Sequence, residues 1–141
     1  MSATGIAAEM IQAYLETEYR VSARPAFTLR VGQASAELLQ TQQVHKVTCS
    51  AFISACNPFS QPLDQTDNSA RQAALAKELA NRSLSYLPGI GQHPSNNWPG
   101  EDSFLVFGLT LEAAKALASQ FEQNALIWSA ADAVPQLVLL R

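Results

Sequence analysis

The chain has 141 residues, of which 48% are hydrophobic and 15% charged, a composition that suits one globular domain (1–141) and excludes a disordered tract. Nine basic residues against twelve acidic ones leave a net charge of −3, which argues against a nucleic-acid binder. Two cysteines are too few for a secreted disulfide scaffold, and a chain of this length buries roughly two-thirds of its unfolded surface without needing one.

The N-terminal residues carry no basic segment and place a glutamate at position 9, unlike a secretory signal. No apolar run approaches the roughly 20 residues that span a bilayer. The expectation is a soluble, cytoplasmic protein with no membrane partner and with Cys49 and Cys56 reduced. Residues 4–18 set Ile6, Met10, Ile11, Tyr14 and Leu15 at helical spacing. Phe27, Leu29 and Val31 alternate with polar residues, the pattern of a half-buried strand. Ser35 is placed to cap a helix running to about Gln43. A strand over 46–55 follows, with Val47, Cys49, Ala51, Ile53 and Ala55 expected on one face. The segment Asn57-Pro58-Phe59-Ser60-Gln61-Pro62 reads as a turn, since its prolines donate no ladder hydrogen bonds.

Asp64 is a good N-cap for a helix over 65–82. Leu84 to Leu87 suggests a short strand stopped by Pro88-Gly89, and residues 88–102 a long loop. Ser103 to Leu109, nearly all apolar, has the look of a central strand covered on both faces. Thr110 caps a helix over 111–121, and strands over 125–129 and 136–140 complete the chain.

The order of elements from 46 to 129 is strand, helix, strand, strand, helix, strand. It predicts an α+β protein with a ferredoxin-like βαββαβ sandwich core, enlarged by an N-terminal helix–strand–helix and a C-terminal strand. That topology would bring the 57–61 turn, the helix start at Asp64, the 88–102 loop and Gln123-Asn124 to one rim of the sheet.

The candidate site residues follow from that rim. Asn57, Ser60, Gln61, Asn68, Arg71, Gln123 and Asn124 would supply polar groups to a small-molecule or enzymatic pocket, with Trp98 as a lid or as a pin for its loop. Arg71, one turn beyond Asn68, needs a partner or a ligand; Glu101 is the expected ion-pair partner, a structural reading that stands beside a direct role in binding. For chemistry, Glu101 is the first choice as acid or base and His93 the second. Gln123 and Asn124 either donate into the pocket or merely end their helix. The spacing of two histidines and two cysteines matches no zinc motif, and Gly89-Ile90-Gly91 matches no phosphate loop, so neither metal nor cofactor is implied. The alternative is an interaction module, or a homo-oligomer, that docks through exposed edges at 27–31 and 136–140 or through the N-terminal helix.

Several segments carry a resemblance: Ala13-Tyr14, Thr17 to Val21, Phe27 to Gly32, Ala51 to Gln61, Asn68, Arg71, Pro88 to Gly91, Glu101 to Val106 and Gln123 to Ala125. Together the chain resembles an uncharacterised bacterial family catalogued as domain of unknown function 3293. Cys56 stands where such proteins tend to have tryptophan. The resemblance implies no activity, only that the Asn-Pro turn, the Glu101 segment and Gln123-Asn124 belong together.

Overall fold

Alternating strands and amphipathic helices assemble, in the computed structural model of residues 4–141, into an α+β structure on one curled antiparallel sheet. Helix α1 (Ala8–Glu16) leads into strands β1 (Glu18–Val21) and β2 (Phe27–Leu29), and helix α2 (Ala36–Val44) into β3 (Ser50–Ile53). A 3₁₀ turn (Pro58–Ser60) precedes α3 (Gln65–Asn81), and β4 (Tyr86–Gln92) and β5 (Glu101–Phe107) form the central hairpin. Helix α4 (Leu111–Gln120), β6 (Ala125–Ser129) and β7 (Gln136–Leu139) close the chain. The strand order is β2-β1-β4-β5-β3-β6-β7, and each neighbouring pair is antiparallel. No helix among the described residues is long and apolar enough to cross a membrane.

The period-two alternation of the strands sorts side chains onto two faces. On one, Ala51, Ile53, Val106 and Leu126 pack beneath Leu75 and Leu79 of α3 and Ala114, Leu117 and Ala118 of α4. On the other, Phe52, Leu105, Phe107 and Ile127 join Tyr19, Val21 and Leu29, and Leu38 of α2 covers part of them. Three helices start where the sequence marks them: the side chains of Ser35, Asp64 and Thr110 accept from the main-chain amides of Leu38, Asp67 and Ala113.

Three expectations are corrected. The N-terminal region is helix, two strands and helix, because Tyr19 and Val21 alternate with Glu18 and Arg20 to form β1, where helical spacing had suggested that α1 continued to residue 18. Strand β4 does not stop at Pro88-Gly89. Pro88 donates nothing, but its carbonyl accepts from Ser22 N at 2.9 Å, and Gly89 lets β1 approach closely. A Cβ at Gly89 would sit 2.7 Å from the Arg20 carbonyl oxygen and 2.7 Å from the Phe52 ring. The connection between β4 and β5 therefore shrinks to residues 93–100. Val47 packs with the Phe52 side of the sheet, opposite Ala51 and Ile53, because β3 begins only at Ser50. Helix α1 itself contains no fully buried residue, and Leu15 is 42% exposed.

Candidate functional site

The site starts where β3 ends. Asn57 takes a left-handed backbone (φ 50°), a conformation that asparagine tolerates better than most residues. Its main-chain amide donates to Asn68 Oδ1 at 2.8 Å, and its Oδ1 accepts from Asn68 Nδ2, also at 2.8 Å. Leu63 N donates to the same Oδ1 at 3.1 Å, so the turn is tied to the first turns of α3. The amide nitrogen of Asn57 is left over, and it donates to Glu101 Oε2 at 3.0 Å.

Glu101 opens β5, and alternation puts it on the same face as Ser103, Leu105 and Phe107. Its cross-strand partner on β4 is Gly91, and that of Ser103 is Gly89, so two positions opposite these side chains carry no side chain at all. Burial pushes the Glu101 carboxyl above the ordinary carboxylate range, against the lowering effect of hydrogen bonds from Asn57 and Ser54.

The turn is strained beyond Asn57. Phe59 and Ser60 also have positive φ (51° and 59°), which costs non-glycine residues of order 1–3 kcal/mol each. Hydrogen bonds hold them there: Phe59 N donates to the Glu122 carbonyl at 2.6 Å, and the Ser60 hydroxyl lies 2.6 Å from Tyr14 Oη. Asn124 Nδ2 donates to both Tyr14 Oη and Ser60 Oγ, each at 3.1 Å. Gln123 Nε2 donates to the carbonyls of Cys56 and Phe121, which locks the end of α4 to the end of β3.

These groups surround a cleft of about 750 Å³ between α1 and the Phe52 face of the sheet. Phe52, Tyr19, Ile127 and Leu137 form apolar walls, while Asn57, Ser60, Asn68, Glu101, Gln123 and Asn124 lie at its polar end. Trp98, 46% exposed, lines it from the 93–100 connection. His93 lines it too, but both ring nitrogens are committed. Nδ1 accepts from the amides of Ser95 and Asn96 at 3.1 and 3.0 Å, so Nε2 carries the proton and donates to Glu16 Oε1 at 3.0 Å. That hydrogen bond lowers the Glu16 carboxyl below its ordinary range.

Two candidates stand elsewhere. Gln61 is exposed and is not among the residues lining the cleft. The expected Arg71–Glu101 ion pair does not form. Arg71 turns to the end of α4, whose last carbonyls lack partners within the helix. Its Nη2 donates to the Phe121 carbonyl at 2.5 Å, its Nε to the Ala55 carbonyl at 2.6 Å, and its Nη1 reaches Glu122 Oε1 at 3.4 Å. Cys56 is buried, and burial pushes its thiol up, away from the nucleophilic form.

Tyr14 is a cleft-lining side chain that the sequence concealed. It lies on the apolar stripe of α1, and spacing alone does not distinguish a core tyrosine from one whose hydroxyl reaches a rim 46 residues away. A family model described as Protein of unknown function (DUF3293) matches residues 53–126, just over half of the chain and most of the polar end of the cleft. No curated protein and no solved structure matches it.

Proposed function

The chain belongs to the DUF3293 family of proteins of unknown function, and on that premise we propose that it binds a small organic molecule in the cleft beneath α1. The observation that carries this reading is the cleft itself. Its volume of about 750 Å³ falls in the range of small-molecule sites, roughly 300–1,000 Å³, and it combines apolar walls with a few convergent polar groups. Strain supports the same reading: three left-handed residues within four positions, Asn57, Phe59 and Ser60, are held where the polar end forms. Glu101, desolvated and bordering the cleft, is the residue best suited to act as an acid or base on a bound molecule. We further read residues 50–129 as a ferredoxin-like core, a reading supported by the strand order β4-β5-β3-β6 with α3 and α4 on one face.

The alternative of an interaction module that pairs through sheet edges is less well supported. The edge strands β2 and β7 have three and four residues, and short edges are a common protection against such pairing.

A metabolite library screened by thermal shift tests the binding reading. A ligand present at about 100 times its Kd stabilises the fold by about 2.7 kcal/mol, which raises the unfolding temperature by several degrees. Ala13 lines the cleft from α1, so Ala13→Trp fills the space while leaving the core untouched. Hits that shift the wild type and not a folded A13W protein support the reading; a library that shifts neither refutes it.

A further inference from the structure

The charge of the cleft goes beyond the fact of a pocket and, resting on the binding reading above, narrows the ligand. The residues that line it include the acids Glu9 and Glu101, with Asp102 beside them alternating to the opposite face, and no lysine or arginine. The two arginines near its polar end are spent on other groups. Arg141 donates to Asn124 Oδ1 at 2.9 Å and lies 4.5 Å from the centre of the Phe59 ring, and Arg71 holds the end of α4. His93 presents its Nε2 proton to Glu16.

Glu101 is the group this leaves unbalanced. Among the described residues it forms no ion pair, and its carboxyl accepts from the neutral side-chain amide of Asn57. Withdrawing a carboxylate from water is costly unless a counter-charge compensates, and none of the described residues pairs with it. An anionic ligand would add a second negative charge to the same cleft. A cation would remove the imbalance, and the aromatic residues Tyr14, Phe52 and Trp98 that line the cleft suit a cation as well.

The hydroxyl pair at the other corner adds a count of protons. Tyr14 and Ser60 own two hydroxyl hydrogens between them. One is used in their mutual bond, and Asn124 donates to both oxygens, so it takes up no hydroxyl hydrogen. One hydroxyl hydrogen therefore remains to be donated.

We infer that the cleft selects a small aromatic or apolar organic cation, a protonated amine whose nitrogen pairs with Glu101, and that the spare hydroxyl of the Tyr14–Ser60 pair donates to an acceptor on the same molecule. Phosphorylated and carboxylate metabolites are disfavoured by the same charge.

The test uses the full chain and isothermal titration calorimetry with three sets of matched probes. Tyramine, 4-methoxyphenethylamine and 5-methoxytryptamine, each with an acceptor oxygen, are the amines; the neutral analogues replace the ammonium group with methyl, and the acidic analogues replace it with carboxylate. Amines binding at least tenfold more tightly than their neutral analogues, with the carboxylates weakest, is the expected order. In Glu101→Gln the preference for amine over neutral analogue should fall below about threefold while the neutral analogues keep their affinity. Equal binding of amine and neutral analogue, or tightest binding by a carboxylate, overturns the inference and leaves the pocket reading intact. An undiminished amine preference in E101Q overturns the role of Glu101. If none of the nine probes binds, the cation inference falls, and the library screen decides separately whether the pocket reading falls with it. The wild-type comparison alone keeps the inference falsifiable should E101Q fail to fold.

Discussion

Asn57 and Asn68 grip each other through two hydrogen bonds of 2.8 Å, one to the main chain and one between side chains, and so fasten the exit of β3 to the start of α3. Removing the Asn68 side chain leaves a half-buried amide and carbonyl of Asn57 without these partners, and each such loss costs about 1–3 kcal/mol. Asn68→Ala should therefore destabilise the fold by about 2–4 kcal/mol in urea titrations, with an unchanged m-value. It should also free the Asn57 side chain to turn away from Glu101, visible as lost amide protection in residues 57–63 by hydrogen exchange.

Arg71 is a structural clamp, and its substitutions separate that role from binding. Arg71→Ala removes hydrogen bonds to the carbonyls of Ala55 and Phe121 and should cost about 2–3 kcal/mol. Arg71→Lys should recover only part of this, since a single ammonium lacks the fork that spans two acceptors. The pairing with Glu122, whose carboxylate is half exposed, adds little, so Glu122→Ala should change stability by no more than about 0.5 kcal/mol. Chemical denaturation of the three variants checks the order.

The two glycines of β4 make opposite predictions. At Gly89 an added methyl group would collide with the Arg20 carbonyl oxygen and the Phe52 ring, both at 2.7 Å, and a backbone oxygen in a paired strand has little room to yield. Gly89→Ala should cost about 1–3 kcal/mol. At Gly91 the nearest atoms to a Cβ are 3.7 Å away, on Thr17, which is ordinary van der Waals contact. Gly91→Ala should be neutral or mildly stabilising, by up to about 1 kcal/mol, because it narrows the freedom of the unfolded chain. Calorimetric unfolding of the pair is the check.

Glu101 should impose a pH dependence on stability. Its carboxyl is raised in the folded protein above the ordinary value near 4.5, so between these two values the folded state holds more proton than the unfolded state. Stability then falls as pH rises through that window, and the contribution is greatest below the ordinary value. Glu101→Gln removes the titrating group while keeping an oxygen for Asn57, so E101Q should unfold at the same or a higher temperature than wild type at pH 7. The advantage should vanish below pH 4.5. A variant less stable than wild type at pH 7 would show that the carboxylate is better compensated than its surroundings indicate.

Local rules made much of the fold legible. Caps reach only three residues along the chain, so Ser35, Asp64 and Thr110 announced their helices without reference to anything distant. Strand alternation did the same for β2, and a nearly unbroken apolar run for most of β5. The meeting of Asn57, Ser60, Asn68, Glu101, Gln123 and Asn124 at one end of the sheet also follows from element order, because antiparallel strands joined in sequence return their ends to shared rims. Pro88-Gly89 misled for a reason that lies outside β4: a strand tolerates the pair because Ser22, just after β1, donates to Pro88 and β1 needs the space that Gly89 leaves.

What the sequence by itself determined is thus the set of elements whose signals are carried by neighbours three or four residues apart, together with the clustering of polar residues near their ends. The tertiary structure alone decided which partner each polar group took. Arg71 chose the carbonyl end of α4 fifty residues away over Glu101, and Tyr14 reached Ser60 across 46 residues. It also decided that α1 lies over a cleft instead of inside the core. The physical reason is one of range: propensity and periodicity act within a turn or a pleat, whereas hydrogen-bond partners and enclosed space depend on how distant segments are packed, and several pairings compatible with the same local pattern differ only in that packing.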